Sequence, residues 1–187
     1  MEPLPLGGSV ALQKDKGHTV RPYKLRRLDR NDASSFREIR LEALANHPEA
    51  FGASWKEEQS LSEADFAGRL ENGLVIGGLS DDGIPAGTIG VSKSKAIKTQ
   101  HIASIWGMYV RQEARGTGLS RLLLSAAIDE VGTTLRSLRL SVVSSNVPAI
   151  RLYKSMGFEE WAVEVEALKV GDTYYDEILM RLEVGPR

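Results

Sequence analysis

The sequence predicts a mixed α/β domain of about seven strands and about four helices. Three observations lead there. Short runs rich in β-branched, leucine and aromatic residues alternate with longer stretches whose apolar residues recur every three or four positions. Two turn signals, Asp81-Asp82-Gly83 and Gly171-Asp172, each lie between neighbouring strand-like runs and pair them as hairpins. Between residues 101 and 143 a strand, a helix and a strand follow directly, and that order makes one right-handed parallel crossover.

Taken in order, residues 1–22 carry Pro3, Pro5, Gly7, Gly8 and Gly17 and read as a flexible tail. A single domain then spans 23–187. Tyr23 to Leu28 is the first strand, and Asp29 is placed to cap a helix bearing Ala33, Phe36, Ile39, Ala43 and Leu44. Glu49 to Glu58 reads as a loop, and Ser60 with Glu63 as the capping box of a second helix. Leu74–Leu79 and Pro85–Val91 are the two hairpin strands. His101 to Val110 is the fourth strand, apolar on both faces: Ile102, Trp106, Met108 and Val110 on one, Ala103, Ile105 and Tyr109 on the other. Gly107 inside it marks a bulge or a close backbone approach. The third helix buries Leu119, Leu122, Leu123, Ala126 and Val131, and Leu138–Val143 is the fifth strand. Asn146 caps a short helix that Gly157 stops. Phe158–Val165 and Tyr174–Leu182 close the sheet.

The stretch from Val110 to Ser125 organises this chain. Arg115-Gly116-Thr117-Gly118 joins the fourth strand to the third helix, with no carboxylate from Ala114 to Ser125. Unpaired N–H groups at a helix start and about half a positive charge of macrodipole favour an anion there. Glycines admit a large anion to the backbone, and Arg115 adds a cation. A pyrophosphate suits such a site. The spacing is neither the dinucleotide fingerprint nor a P-loop.

Composition excludes several alternatives. At 187 residues, with 42% hydrophobic and 26% charged residues, the chain has the make-up of one ordinary globular domain. A net charge of −1 gives no general pull towards nucleic acid or an anionic membrane. With no cysteine there is no disulfide, thiolate metal site or enzyme-bound thioester, so an acyl group would pass directly between ligands. His18, His47 and His101 are scattered, so no metal is expected. No apolar run reaches membrane-spanning length and no signal peptide is legible, which makes a cytoplasmic location the expectation.

Arg115-Gly-Thr-Gly-Leu-Ser120 resembles the acetyl-CoA loop of the GNAT (GCN5-related N-acetyltransferase) superfamily, with Ser120 where Gly or Ala is usual. Asn146-x-x-Ala149-x-x-Leu152-Tyr153-x-x-x-Gly157-Phe158 resembles a second block of the same family, and the order of elements is similar too. Within the superfamily, Pro48–Gly52, Trp106–Val110 and Tyr174–Glu177 are similar to segments of a broad group of uncharacterised bacterial members. The resemblance implies a mostly antiparallel sheet whose parallel fourth and fifth strands splay apart, with acetyl-CoA as co-substrate. It implies that Met108, Tyr109 and Val110 meet the pantetheine arm. Arg115, Gly116, Thr117, Gly118, Leu119 and Ser120 would hold the pyrophosphate, Asn146 would meet the pantetheine region and Lys154 another phosphate. Tyr153 would protonate the leaving thiolate.

The implied reaction is direct acetyl transfer to a primary amine of a small molecule, peptide or protein, by a monomer or homodimer. The general base is open among Glu42, Glu57, Glu58, Asp176 and a water relay, because the fourth strand holds no carboxylate. Glu49, Glu57, Glu58, Asp176 and Glu177, if they converge, would favour a cationic acceptor. Two other classes stand beside this: a non-catalytic acyl-CoA-sensing module and a nucleotide- or partner-binding α/β domain.

Overall fold

The computed structural model describes residues 23–132 and 135–185; the tail expected over 1–22 lies outside them. The strands are β1 (Lys24–Arg27), β2 (Leu74–Leu79), β3 (Pro85–Lys93), β4 (Ile102–Val110), β5 (Ser137–Val143), β6 (Glu159–Val170) and β7 (Thr173–Glu183). They form one sheet in the order β1-β2-β3-β4-β5-β7-β6. Every neighbouring pair is antiparallel except β4 and β5. That parallel pair is joined only at Ile102–Ser137, Ala103–Leu138 and Ser104–Arg139. Beyond these residues each strand stays bonded to its antiparallel partner, β4 to β3 as far as Val110 and β5 to β7 along its whole length. A gap therefore opens between Ile105–Val110 and Leu140–Val143.

Gly107 shapes the wall of that gap. It lies at φ 60°, and the β3–β4 register slips there, with Gly90 opposite Trp106 and Thr88 opposite Tyr109. The bulge corrects the strict alternation expected for this strand. Trp106 and Tyr109 both join the core on one face, whereas Ile105 and Val110 belong to the core on the other, with Met108 packed against it. An inserted residue reverses the facing of everything after it.

The helices are α1 (Ala33–Asn46), α2 (Trp55–Glu58), α3 (Glu63–Asn72), α4 (Leu119–Val131) and α5 (Val147–Ser155). Helices α1 and α3 cover one face, where Phe36 and Phe66 meet edge to face at 5.8 Å. Helices α4 and α5 cover the other around Leu123, Leu124, Leu138 and Met180. Asp29 and Asp32 form a reciprocal cap on the 3-10 turn Arg30–Asp32 that leads into α1, which has no side-chain cap of its own, and Arg26 grips Asp32 with two bonds of 2.6 and 2.7 Å. Those bonds hold the Asp32 carboxyl below its ordinary range.

Several details differ from the expectations. The loop expected at Glu49–Glu58 contains the single turn of α2, capped reciprocally by Ser54 and Glu57. The box of α3 is Ser62 with Asp65, because two overlapping Ser-x-x-acid patterns compete and Ser60 instead donates to the Glu57 carbonyl. Helix α4 is rotated, burying Leu123, Leu124 and Ala127 and leaving Leu122 and Ala126 half-buried. Strand β6 runs on to Val170 through two register shifts.

Gly90 is required by packing, since a Cβ there would overlap the indole of Trp106. Gly90→Ala is expected to destabilise the fold by about 1–3 kcal/mol through overpacking. Urea unfolding checks this as a lower midpoint at unchanged slope.

Candidate active site

The gap between β4 and β5 is the floor of a cleft of about 790 Å³. Both splayed strands border it, together with the start of α4, one face of α5 and the His47–Phe51 segment. Of the residues singled out in the sequence, Met108, Tyr109, Val110, Arg115, Gly116, Gly118, Ser120, Asn146 and Tyr153 line this cleft. Thr117, Leu119 and Lys154 do not. The Thr117 hydroxyl donates to the Ala114 carbonyl, Leu119 is buried in the core, and Lys154 pairs with Glu160 at 2.8 Å.

One end of the cleft gathers unpaired amides and cations, a combination that suits an anion. Gly118 precedes α4 at φ 87°, with no side-chain cap and no acidic residue in the first turn. Its missing Cβ would point into open space, as would that of Gly116. The first intrahelical bond near this end runs from Leu122 N to Gly118 O, so the amides before Leu122 have no acceptor within the helix. Arg115 is fixed beside them. Its Nε donates to the Val110 carbonyl at 3.1 Å, and its Nη2 lies 2.9 Å from His47 Nε2. Arg121 adds a second cation, anchored to Ser155 at 2.7 Å.

The wall formed by α5 holds a buried phenol. Tyr153 is 7% exposed, and its hydroxyl donates to the Met108 thioether at 3.5 Å. Burial pushes its pKa up to about 12. It therefore keeps its proton through the neutral range. Asn146 caps α5 by accepting the Ala149 amide at 3.2 Å, which fixes the side chain at the cleft edge.

The base candidates are dispersed. Glu42 accepts from the Tyr109 hydroxyl at 2.9 Å and pairs with Arg111 at 3.0 Å. Glu57 caps α2, and Asp176 accepts the Glu166 amide at 2.8 Å. Glu58 lies under Arg40, which reaches it with two bonds of 2.9 and 3.1 Å, and under Arg69 at 2.9 Å. Burial pushes the Glu58 carboxyl up, but the two guanidiniums outweigh it and hold the pKa below the ordinary value. None of these four lines the 790 Å³ cleft. Of the five carboxylates expected to favour a cationic acceptor, Glu49 alone borders it, facing His47 Nδ1 at 3.7 Å. The others are taken up by a helix cap (Glu57), ion pairs (Glu58), the Glu166 amide (Asp176) and the Ser141 hydroxyl (Glu177).

The Arg40–Glu58–Arg69 cluster and the lining role of Trp106 and Phe51 were not anticipated from the sequence. A signal for the first existed. Arg40 falls four residues after Phe36, on the apolar stripe of α1, where a charge demands a buried partner. Among the described residues no group of three or more His, Asp or Glu side chains is placed to hold a metal, and no helix is long and apolar enough to cross a membrane.

A sequence profile described as the acetyltransferase (GNAT) family matches residues 36–158. A ribosomal protein bS18-alanine N-acetyltransferase of Salmonella typhimurium is 34% identical over 84 residues, covering 44% of this chain and 57% of that enzyme. The match thus spans less than two thirds of that relative. Among solved structures, an acetyltransferase of the GNAT family from Streptococcus pneumoniae superposes with a TM-score of 0.78 at 20% identity, over 87% of this chain and 99% of that one. The Salmonella typhimurium protein YncA, solved with its cofactor acetyl-CoA, gives 0.77 at 21%, over 88% and 95%. At these identities the likeness is one of fold.

Removing Glu58 would leave two guanidiniums without their shared carboxylate. Glu58→Gln is expected to cost about 3–5 kcal/mol at neutral pH, the usual penalty for breaking a buried pair. Because the folded pKa is lowered, this contribution is full above the unfolded value of about 4.3 and fades as pH falls through the folded one. Denaturation of both proteins across acidic pH checks that their stabilities converge.

Proposed function

The chain belongs to the acetyltransferase (GNAT) family, and from that premise we propose that it transfers an acetyl group from acetyl-CoA directly to a primary amine. One observation carries this reading: an unpaired stretch of parallel strands with a capless helix start at one end and a buried, protonated tyrosine on its wall. The residues present suit the cofactor. The Gly116–Ser120 backbone and Arg115, with Arg121 nearby, would hold the diphosphate, and the free edge of β4 at Gly107–Val110 would hold the pantetheine arm. Acetyl-CoA, when bound, supplies an activated acyl thioester.

The protein's own groups then position and move protons. Tyr153 Oη holds a proton that its raised pKa retains, and its present acceptor is the weak sulfur of Met108. As the amine nitrogen bonded the acetyl carbon and the C–S bond broke, the thiolate leaving beside Tyr153 would be a better acceptor for that proton than a thioether. With no cysteine in the chain, a thiol-bound acyl-enzyme does not arise. The incoming amine loses its proton to water, because the fourth strand offers no carboxylate and the four candidate bases are engaged elsewhere. We place the reaction in the cytoplasm.

Thiol release from acetyl-CoA over a panel of amines, amino acids and peptides tests the reading. Turnover with at least one amine is expected; tight acetyl-CoA binding with no turnover would instead mark a sensing module. Gly118→Val sets a branched side chain at a positive φ and at the anion end. It is expected to weaken acetyl-CoA binding at least tenfold, checked by calorimetry on the folded variant. Tyr153→Phe keeps the ring and removes the proton. Its kcat is expected to fall by about 10² to 10⁴ with acetyl-CoA affinity little changed. For the native enzyme with an alkyl amine, kcat/KM is expected to rise with pH towards the amine's own pKa of about 10. A plateau near neutrality would reveal a base on the protein.

A further inference from the structure

A second cleft, of about 700 Å³, lies beside Trp106 where β3 leaves the sheet and α3 ends. Trp106 borders both clefts, so they share a wall at the bulge of β4. This second cleft is basic in a chain whose net charge is −1. Arg27, Arg40, Arg69, Lys93 and Lys95 line it against two carboxylates, Glu58 and Glu130.

Arg40 is the inner cation. Its side chain is 8% exposed, and Nε and Nη2 are both spent on Glu58. Nη1 is buried and has no hydrogen-bond partner. A buried N–H group without an acceptor is costly, and native structures rarely keep one without a use. Its charge is uncompensated as well, since Glu58 is shared with Arg69 and one carboxylate cannot neutralise two guanidiniums. The spare donor also has an address. Nη1 lies 3.4 Å from where a Cβ on Gly107 would sit, against the bulge that borders the proposed cofactor gap. The rings of Phe51 and Trp106 flank the guanidinium at 5.3 and 5.9 Å from its central carbon and leave hydrogen bonding to its edge.

We propose that the acceptor is a carboxylate-bearing amine whose carboxylate is bound by Arg40 Nη1, in the basic cleft beside Trp106. The inference rests on the acetyltransferase reading for the amine and on the cleft alone for the carboxylate. A guanidinium edge suits a carboxylate through charge-assisted hydrogen bonds. In an α-amino acid two bonds separate the nitrogen from the carboxyl carbon, so an anchor at Arg40 brings the amine to the bulge. Lys93 and Lys95 at the rim draw the anion in. Because Nη1 is covered, reaching it requires Phe51, which flanks the guanidinium and lines the first cleft, to shift. The site thus selects against the cationic acceptors that the acidic segments of the sequence had implied.

The test uses L-amino acids and their carboxamides as matched acceptors, read by thiol release from acetyl-CoA. The free acids are expected to show at least tenfold higher kcat/KM than the amides. The difference should vanish in Arg40→Lys, which keeps a charge for Glu58 and loses the edge donor. In the double variant Lys93→Glu/Lys95→Glu the acids should slow several-fold and the amides should not. That rim variant carries the test if Arg40→Lys fails to fold. Calorimetry of N-acetyl-amino acids and their amides on the CoA-bound enzyme gives a readout free of turnover. Carboxylate-selective binding without turnover upholds the anion site and sinks the transferase reading. Turnover with equal rates for acid and amide, or faster amides, overturns the inference and leaves that reading standing.

Discussion

The parting of β4 from β5 is the constraint on which the rest of the structure depends. Two parallel strands held together by three residue pairs leave a row of backbone groups on each without a partner. In a sheet interior such an arrangement is unfavourable unless something else meets those groups. The fold sustains it because the antiparallel partners β3 and β7 each keep hold of their own strand. The gap is therefore a preformed groove. At its mouth it meets the start of α4, whose amides are equally unpartnered, and along its wall it meets the buried phenol of α5. Two unpartnered sets of backbone groups and one weakly bonded phenol converge on one cleft, and a long, flexible thioester with an anionic end would suit all of them.

The Gly107 bulge joins this groove to the other face of the sheet. It turns Trp106 and Tyr109 towards α1 and leaves Ile105 and Val110 facing α4. Arg40 Nη1 reaches within contact distance of the same residue, so the strand that carries the proposed cofactor contacts also backs the buried cation. The Glu58 carboxylate, held ionised between Arg40 and Arg69, is structural and a poor base. Its two guanidinium neighbours leave this side of β4 cationic at its core, whatever the acidic residues of the surrounding segments.

Much of this was legible in the sequence because it is local. The glycine loop, the absence of acid after Ala114, the Asn146 cap and Gly157 stop of α5, and the order of strands and helices all follow from neighbouring residues. What escaped was of two kinds. Bulges reset the period of a strand, so the facing of residues after Gly107 and the full length of β6 could not be read from alternation. Long-range pairing assigned the charges: Arg40 meets Glu58 across eighteen positions, and nothing in either segment names the other. For the same reason the carboxylates that clustered in the sequence do not cluster in space: Glu57 goes to a cap, Glu58 to two cations, Asp176 to a backbone amide and Glu177 to a hydroxyl.

Amide hydrogen exchange resolved to single residues, with and without acetyl-CoA, shows whether the gap and the helix start bind the cofactor. Acetyl-CoA is expected to slow exchange at Gly107–Val110 on β4 and at Gly116–Arg121, where unpaired amides would gain acceptors, while β1 and β6 are unaffected. Binding of acetyl-CoA that leaves both segments exchanging as before would contradict that placement of the cofactor.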